Sequence, residues 1–315
     1  MIDKNSLKYT TVKVLAPATV ANIVCGFDVL GMALDAPYDE MHITLNTSEA
    51  VVIKHVDNYN LPTEPHANVA GVALLALLKE VGSGIGFEII INKIIKPGSG
   101  LGSSSASAAG AVVGANYLLD NYFSKQQLVQ FAMCGEELAS GAKHADNVAP
   151  CIYGGVSLIT SMQPLDIVTI PAPNLFVTIL HPQIEIKTAD ARQILRKEIL
   201  LKDAVTQWGN VAGLVAGFFK NDYELISRSL QDVIIEPIRS LLIPAFKEVK
   251  EVSLAAGALG GGISGSGPSI FMLSKNKTTA LAVENAMKHV YQNLGVVYHT
   301  HLTNINTDGV KIITN

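Results

Sequence analysis

Between residues 97 and 107 the sequence reads PGSGLGSSSAS, three glycines and five serines in eleven positions. Gly98, Gly100 and Gly102 let a backbone turn tightly and approach a ligand with no Cβ in the way. A strand-like run, GFEIIINK (86–93), leads into this loop, and an alanine-rich helical run (104–120) leaves it. A helix that starts there presents unpaired amide N–H groups and the positive end of its dipole, which suit an anion such as phosphate. Pro97, Ser99, Leu101, Ser103, Ser104, Ser105, Ala106 and Ser107 complete the candidate loop, and the serine hydroxyls add donors. A Walker A loop needs Lys followed by Ser or Thr after its last glycine, and no such pair follows Gly102. A dinucleotide loop needs an acidic residue at the end of the next strand, whereas Asp120 ends a helix-like run.

These groups must be carried by a fold that mixes both kinds of element. Strand-like runs rich in Val, Ile and Thr lie at 11–17, 40–47, 86–93, 154–160, 175–182, 268–274 and 295–302. Apolar residues at three- and four-residue spacing predict helices over 67–81, 104–120, 124–140, 188–219 with a break, 244–256 and 277–292. Strands and helices interleave without a strict βαβα rhythm, so the pattern predicts an α+β fold. The segment 161–174, SMQPLDIVTIPAPN, holds three prolines and is the best boundary candidate. The expected domains are 1–165 and 166–315.

Composition narrows the function classes. The chain has 315 residues, 49% of them hydrophobic and 16% charged, which supports packed cores and argues against disorder. Net charge is -4 and no basic run of five appears, so nucleic acid is not an expected partner. No apolar stretch reaches the ~18 residues of a membrane helix. Cys25, Cys134 and Cys151 are odd in number and lack CxxC spacing, which reads as thiols in a reducing compartment. The N-terminal MIDKNSLKYT lacks an apolar signal core. The expected location is the cytoplasm.

The loop PGSGLGSSSA resembles the nucleotide loop of the GHMP kinases. Two further signatures of that superfamily stand in order: VLAPATVANIVCGFDVLGMAL (14–34) resembles its N-terminal substrate motif, and GALGGGISGSGPSIFML (257–273) its C-terminal glycine motif. The glycines of the latter are expected to bring backbone close to a substrate or to the first loop. Within the superfamily, ANIVCGFDVLG (21–31), KHADNVAPCIYGG (143–155), KTADARQIL (187–195) and DVIIEPIRSLLIPAF (232–246) resemble the homoserine kinase form. The resemblance implies an N-terminal α+β domain with a left-handed crossover and a ferredoxin-like C-terminal domain. It implies transfer of the γ-phosphoryl group of ATP, with Mg²⁺, to the side-chain hydroxyl of L-homoserine in threonine biosynthesis.

Homoserine presents an ammonium, a carboxylate and an alcohol, and the matching motifs offer a group for each. Asn22 and Asp28 suit the ammonium through charge-assisted hydrogen bonds. Arg192 and Arg239 suit the carboxylate, because a guanidinium fork matches its two oxygens; Thr188, one helical turn before Arg192, adds a hydroxyl. His144 and Asp146 are assigned to the substrate, and Asn147 to orienting the hydroxyl, with Asp146 its rival as a base. The resemblance makes Glu136 a magnesium ligand with Ser104, although Glu137 beside it competes for the role. Asn68 matches a position near the adenine. A homodimer is compatible with the sequence, which does not dictate an oligomeric state.

Overall fold

The computed structural model describes residues 7–82, 84–171 and 173–313. Strand β1 (Thr11–Ala21) begins with alternate burial, Val12 and Val14 in and Lys13 and Leu15 further out, and is buried throughout from Ala16. It pairs antiparallel with β2 (Leu30–Asn46), with a register shift between Pro17 and Thr19. Strand β4 (Gly86–Asn92) lies on the other side of β2, and β3 (Val51–His55) runs parallel to β4. Helix α1 (Val69–Val81) is the crossover between these two parallel strands. A hairpin, β5 (Val156–Met162) and β6 (Leu165–Ile170), extends the sheet from β2.

Helix α2 (Ser103–Leu118) packs on this sheet and is buried around most of its circumference. Its small residues make that possible: a Cβ on Gly110 would meet Met41, and one on Gly114 would meet Ile43 and Val14. Helix α3 (Lys125–Ser140) begins with a reciprocal Ser124–Gln127 capping box and ends on a left-handed Gly141. Helix α4 (Val148–Tyr153) follows after the link 141–147.

The second sheet has the order β10 (Tyr298–Asn304), β7 (Phe176–Pro182), β9 (Ile270–Ser274), β8 (Gly260–Ile263), with antiparallel neighbours. Helix α10 (Lys277–Leu294) joins β9 to β10. Between β7 and β8 run α5 (Thr188–Gln193), α6 (Leu201–Lys220), α7 (Tyr223–Ser229), α8 (Glu236–Arg239) and α9 (Phe246–Ala255). With α9 and α10 as the two principal helices this is a βαββαβ unit of ferredoxin type, with α5 to α8 inserted.

The expected boundary needs correction. Position 165/166 falls inside β6, which belongs to the first sheet, and the chain leaves that sheet only after Ile170. The last strand, β11 (Lys311–Ile313), returns to pair with β1. One hydrophobic cluster runs from the first sheet and α1–α3 into β7, β9, α6 and α7, while a second lies among the second sheet, α9 and α10. The two halves therefore share apolar packing, and no clean cut at one residue divides them. Among the described residues, no helix is long and apolar enough to cross a membrane.

Candidate active site

The glycine loop between β4 and α2 is stitched to the glycine segment around β8. Ser264 Oγ donates to the Gly100 carbonyl at 2.6 Å, and Ser269 Oγ donates to the Ser99 carbonyl at 2.6 Å. Gly100 has a φ of 78°, and a Cβ there would lie 2.6 Å from the Gly267 carbonyl oxygen. Gly102 has a φ of 67°, and its Cβ would lie 2.0 Å from Thr19 Oγ1. Only glycine fits either place. The expected approach of the two glycine motifs is thus present.

At the start of α2 the residue before the helix is Gly102, which offers no side-chain cap. The first amides of α2 are left for an external anion. Beneath them, Lys93 is buried; its Nζ donates to Asp39 Oδ2, to the Ser103 carbonyl at 2.7 Å and to Ser107 Oγ at 2.9 Å. The loop opens on a cavity of about 490 Å³, a volume within the range of small-molecule sites. Pro97, Gly98, Ser99, Gly100, Gly102, Ser103, Ser104 and Ser107 line it. Leu101, Ser105 and Ala106, expected among the ligand contacts, turn their side chains into the protein and do not line the cavity.

The far side of the cavity carries the charged cluster. The turn between β1 and β2 places Asn22, Ile23, Val24 and Asp28 at positive φ, a strained run for non-glycine residues. Asn22 holds it: its Oδ1 accepts the Asp28 N–H at 3.0 Å and its Nδ2 donates to the Gly265 carbonyl at 2.9 Å. Asn22 therefore positions Asp28 with an oxygen that was expected to meet an ammonium. Phe27, on the same turn, lies under both guanidiniums, 5.3 Å from Arg192 and 4.9 Å from Arg239. Arg192 is ion-paired to Asp28, and its Nη1 lies 3.4 Å from His144 Nε2. Arg239 is buried, donating Nε–H to the Ala191 carbonyl and Nη1–H to the Gly265 carbonyl, each at 3.1 Å. Thr188 lines the cavity 3.3 Å from Ser266 Oγ.

Titration follows this crowding. Burial pushes the Asp146 carboxyl up to about 7, and Asp28 and Glu136 add to the rise. Burial holds His144 below its usual range, with Arg192 and Arg239 lowering it further against Asp28, so the imidazole is mostly neutral at pH 7. Burial also raises Glu136, opposed by the Ser104 and Ser105 hydroxyls and by Lys93. Its Oε1 is buried with no hydrogen-bond partner among the described residues. An unpaired buried carboxylate oxygen beside the Ser104 hydroxyl is a hard-oxygen donor set that fits a magnesium ion. Glu137, its rival, is exposed and lies 3.7 Å from Lys143. Asn147 Oδ1 accepts from Thr19 Oγ1 at 2.7 Å, which leaves its amide N–H₂ for the cavity.

Asn68 departs from expectation. Its Oδ1 caps the Ala70 and Gly71 amides, and its Nδ2 donates to the Pro62 carbonyl at 2.6 Å. That side chain is occupied in starting α1 and does not line the cavity. The sequence reading missed Thr19, Phe27 and the Lys93–Asp39 pair. The lysine at the end of the apolar run GFEIIINK was the available signal, since a charge on a buried strand requires a partner.

Residues 68–155 match the GHMP kinases N terminal domain, and residues 214–293 match the GHMP kinases C terminal domain. The homoserine kinase of Chloroherpeton thalassium is 44% identical over 89% of this chain and 92% of its own. That of Chlorobaculum tepidum is 43% identical over 96% and 98%. The crystal structure of homoserine kinase from Cytophaga hutchinsonii superimposes with a TM-score of 0.93 at 48% identity, covering 97% of this chain and 98% of that one. The chain belongs to the homoserine kinase family of the GHMP kinases.

Proposed function

We propose that the protein transfers the γ-phosphoryl group of ATP to the side-chain hydroxyl of L-homoserine, giving O-phospho-L-homoserine. One observation carries the reading: a single cavity joins an amide-rich glycine loop at one end to Asp28, His144, Asp146, Arg192 and Arg239 at the other, with Asn147 between. The glycine loop and the first turn of α2 hold the triphosphate. The acidic and guanidinium groups hold the two charges of an amino acid. Asn147, with its oxygen committed to Thr19, donates its N–H to the acceptor oxygen and fixes its direction. An amide takes no proton at neutral pH, and phosphoryl transfer through a loose transition state needs little from a base. Positioning and charge stabilisation supply the rate.

Glu136 and Ser104 would hold Mg²⁺. When bound, that ion neutralises charge on the phosphate oxygens. The family resemblance further supports a place in threonine biosynthesis and in the cytoplasm.

The test is ADP release with homoserine, mevalonate, galactose or no acceptor, with and without Mg²⁺. Homoserine should give the highest specificity constant and require the metal. A higher value for mevalonate or galactose would reject the assignment.

A further inference from the structure

A second cavity, of about 610 Å³, lies among α7, α9 and the start of β8, and it shares no lining residue with the catalytic cavity. Three cationic side chains, Arg228, Lys250 and Lys275, face a single carboxylate, Glu224, on its wall. This local excess stands on a chain whose net charge is -4. Leu230, Leu254 and Leu259 add apolar surface to the same wall. Two contacts fix its shape. Ser227 Oγ donates to the Leu259 carbonyl at 2.6 Å, which ties α7 to the start of the strand. Lys275 Nζ sits 5.2 Å from the centre of the Tyr223 ring. Among the described residues, Arg228 and Lys275 have no ion-pair partner.

Lys250 is engaged, and its partner reaches toward the catalytic side. Lys250 Nζ donates to Glu236 Oε1. Burial pushes the Glu236 carboxyl up, and Lys250 opposes that rise. The other oxygen, Oε2, is buried with no hydrogen-bond partner among the described residues. It lies against β8, where a Cβ on Gly262 would come within 2.5 Å of it. Glu236 also lines a small space with Asn22, Phe27, Arg239 and Gly265, and those four wall the catalytic cavity as well. Glu236 opens α8 and Arg239 closes it. One carboxylate thus stands between Lys250 on the second cavity and the short helix that carries Arg239.

We infer that the second cavity binds a small organic phosphomonoester, and that its occupancy weakens homoserine binding through Lys250, Glu236 and α8. The free guanidinium and ammonium match the near-double negative charge of a phosphomonoester at neutral pH. The guanidinium fork fits its oxygens. The cavity has the size of a small-molecule site, and its three leucines call for an apolar body on the ligand. A dianion held by Arg228 and Lys275 also draws Lys250. Glu236 then loses the cation that offsets its burial, and a buried carboxylate without a partner is costly. The placement of α8 that seats Arg239 on the Gly265 carbonyl weakens, and with it the hold on the substrate carboxylate. By linkage, homoserine weakens the ester by the same factor. The effect on homoserine rests on the substrate role given to Arg239; binding of the ester does not.

Ligand-detected proton NMR of the full chain, with ADP and Mg²⁺ saturating the glycine loop, tests the site with butyl phosphate, pentanoate and butanol. Butyl phosphate should bind most tightly. Arg228→Gln combined with Lys275→Gln should weaken it by about tenfold or more, while turnover without the ester stays at the wild-type value. In steady-state kinetics, saturating butyl phosphate should raise the Michaelis constant for homoserine by about fivefold or more and leave that for ATP unchanged. Glu236→Gln should still bind the ester and lose this effect, because an amide leaves no charge unpaired. Thermal melting checks that each variant is folded. No binding of butyl phosphate up to about 10 mM overturns the site. So does equal affinity for pentanoate or butanol, or an affinity indifferent to the double substitution. Inhibition competitive with ATP puts the ester in the glycine loop and also overturns it. Binding that leaves the homoserine constant unchanged, with homoserine established as the acceptor, overturns the coupling.

Discussion

Asp28 and Arg192, the residues assigned to opposite charges of the substrate, are ion-paired to each other at the wall of the cavity. Their side chains are 37% and 36% exposed. A pair this wet contributes only about 0–1 kcal/mol, so an incoming zwitterion can exchange with it at little cost. Free amino acid brings one ammonium for Asp28 and one carboxylate for the guanidinium, and the charge count of the site stays balanced.

The two arginines should therefore respond differently. Arg192→Ala is expected to raise the Michaelis constant for homoserine with little effect on melting temperature. Arg239→Ala should raise that constant by the equivalent of about 2–5 kcal/mol and also lower the melting temperature, because Arg239 is buried and bridges the Ala191 and Gly265 carbonyls. Turnover should fall less than affinity in both. Steady-state kinetics with thermal melts checks this. An unchanged homoserine constant in Arg239→Ala would remove that residue from the site.

Glu136 and Glu137 are neighbours with opposite surroundings, one buried at the cavity and one exposed. Even partners of a metal's ligands are worth about 10–100-fold, so Glu136→Gln is expected to lower magnesium-dependent turnover by at least about that factor. Glu137→Gln should change it less than about threefold. A magnesium titration of turnover in both variants decides. Equal losses would contradict the metal assignment.

How much of this was legible follows from what each residue does. The glycine loops were readable because Gly100 and Gly102 sit where a side chain collides, and such positions leave a mark in sequence. The opening half of β2 lay outside the expected strand at 40–47, because Gly31 and Pro37 lower its strand propensity, although Pro37 lies within a long, mostly buried strand. The capping role of Asn68 was not legible, because an amide that caps a helix and one that meets a ligand look alike in sequence. The pairing of Asp28 with Arg192 spans 164 residues and exists only after folding. Lys93 and Asp39, 54 residues apart, were hidden for the same reason.

Asp146 should couple stability to pH. An ordinary aspartate titrates near ~3.9, whereas this one does so at about 7 in the native state. Between those values the folded chain binds the proton more tightly than the unfolded chain, so the Asp146 contribution is complete below pH ~4 and is lost as pH rises through 7. Asp146→Asn removes this dependence. The variant should gain on the wild type by on the order of a few kcal/mol from pH 4 to pH 8, as read from denaturant unfolding at each pH. No relative gain, or a relative loss, would mean that the carboxyl ionises in its ordinary range.

Thr19 supports the orientation of Asn147. Thr19→Val keeps the volume and removes the hydroxyl that donates to Asn147 Oδ1. Turnover is expected to fall by up to about a hundredfold, with the constants for ATP and homoserine nearly unchanged. If both Michaelis constants rise while turnover holds, the contact serves binding instead of alignment.

The central claim is that one cavity recognises both charges of an amino acid while its alcohol is phosphorylated. It is tested most directly by the specificity constants for L-homoserine, 4-hydroxybutanoate and 3-aminopropan-1-ol, which carry both charges, the carboxylate alone and the ammonium alone. A site built for charged partners rejects analogues lacking them steeply, by about 10³-fold or more, so both truncated alcohols should fall at least that far below homoserine. Either one phosphorylated within about tenfold of homoserine would contradict the account.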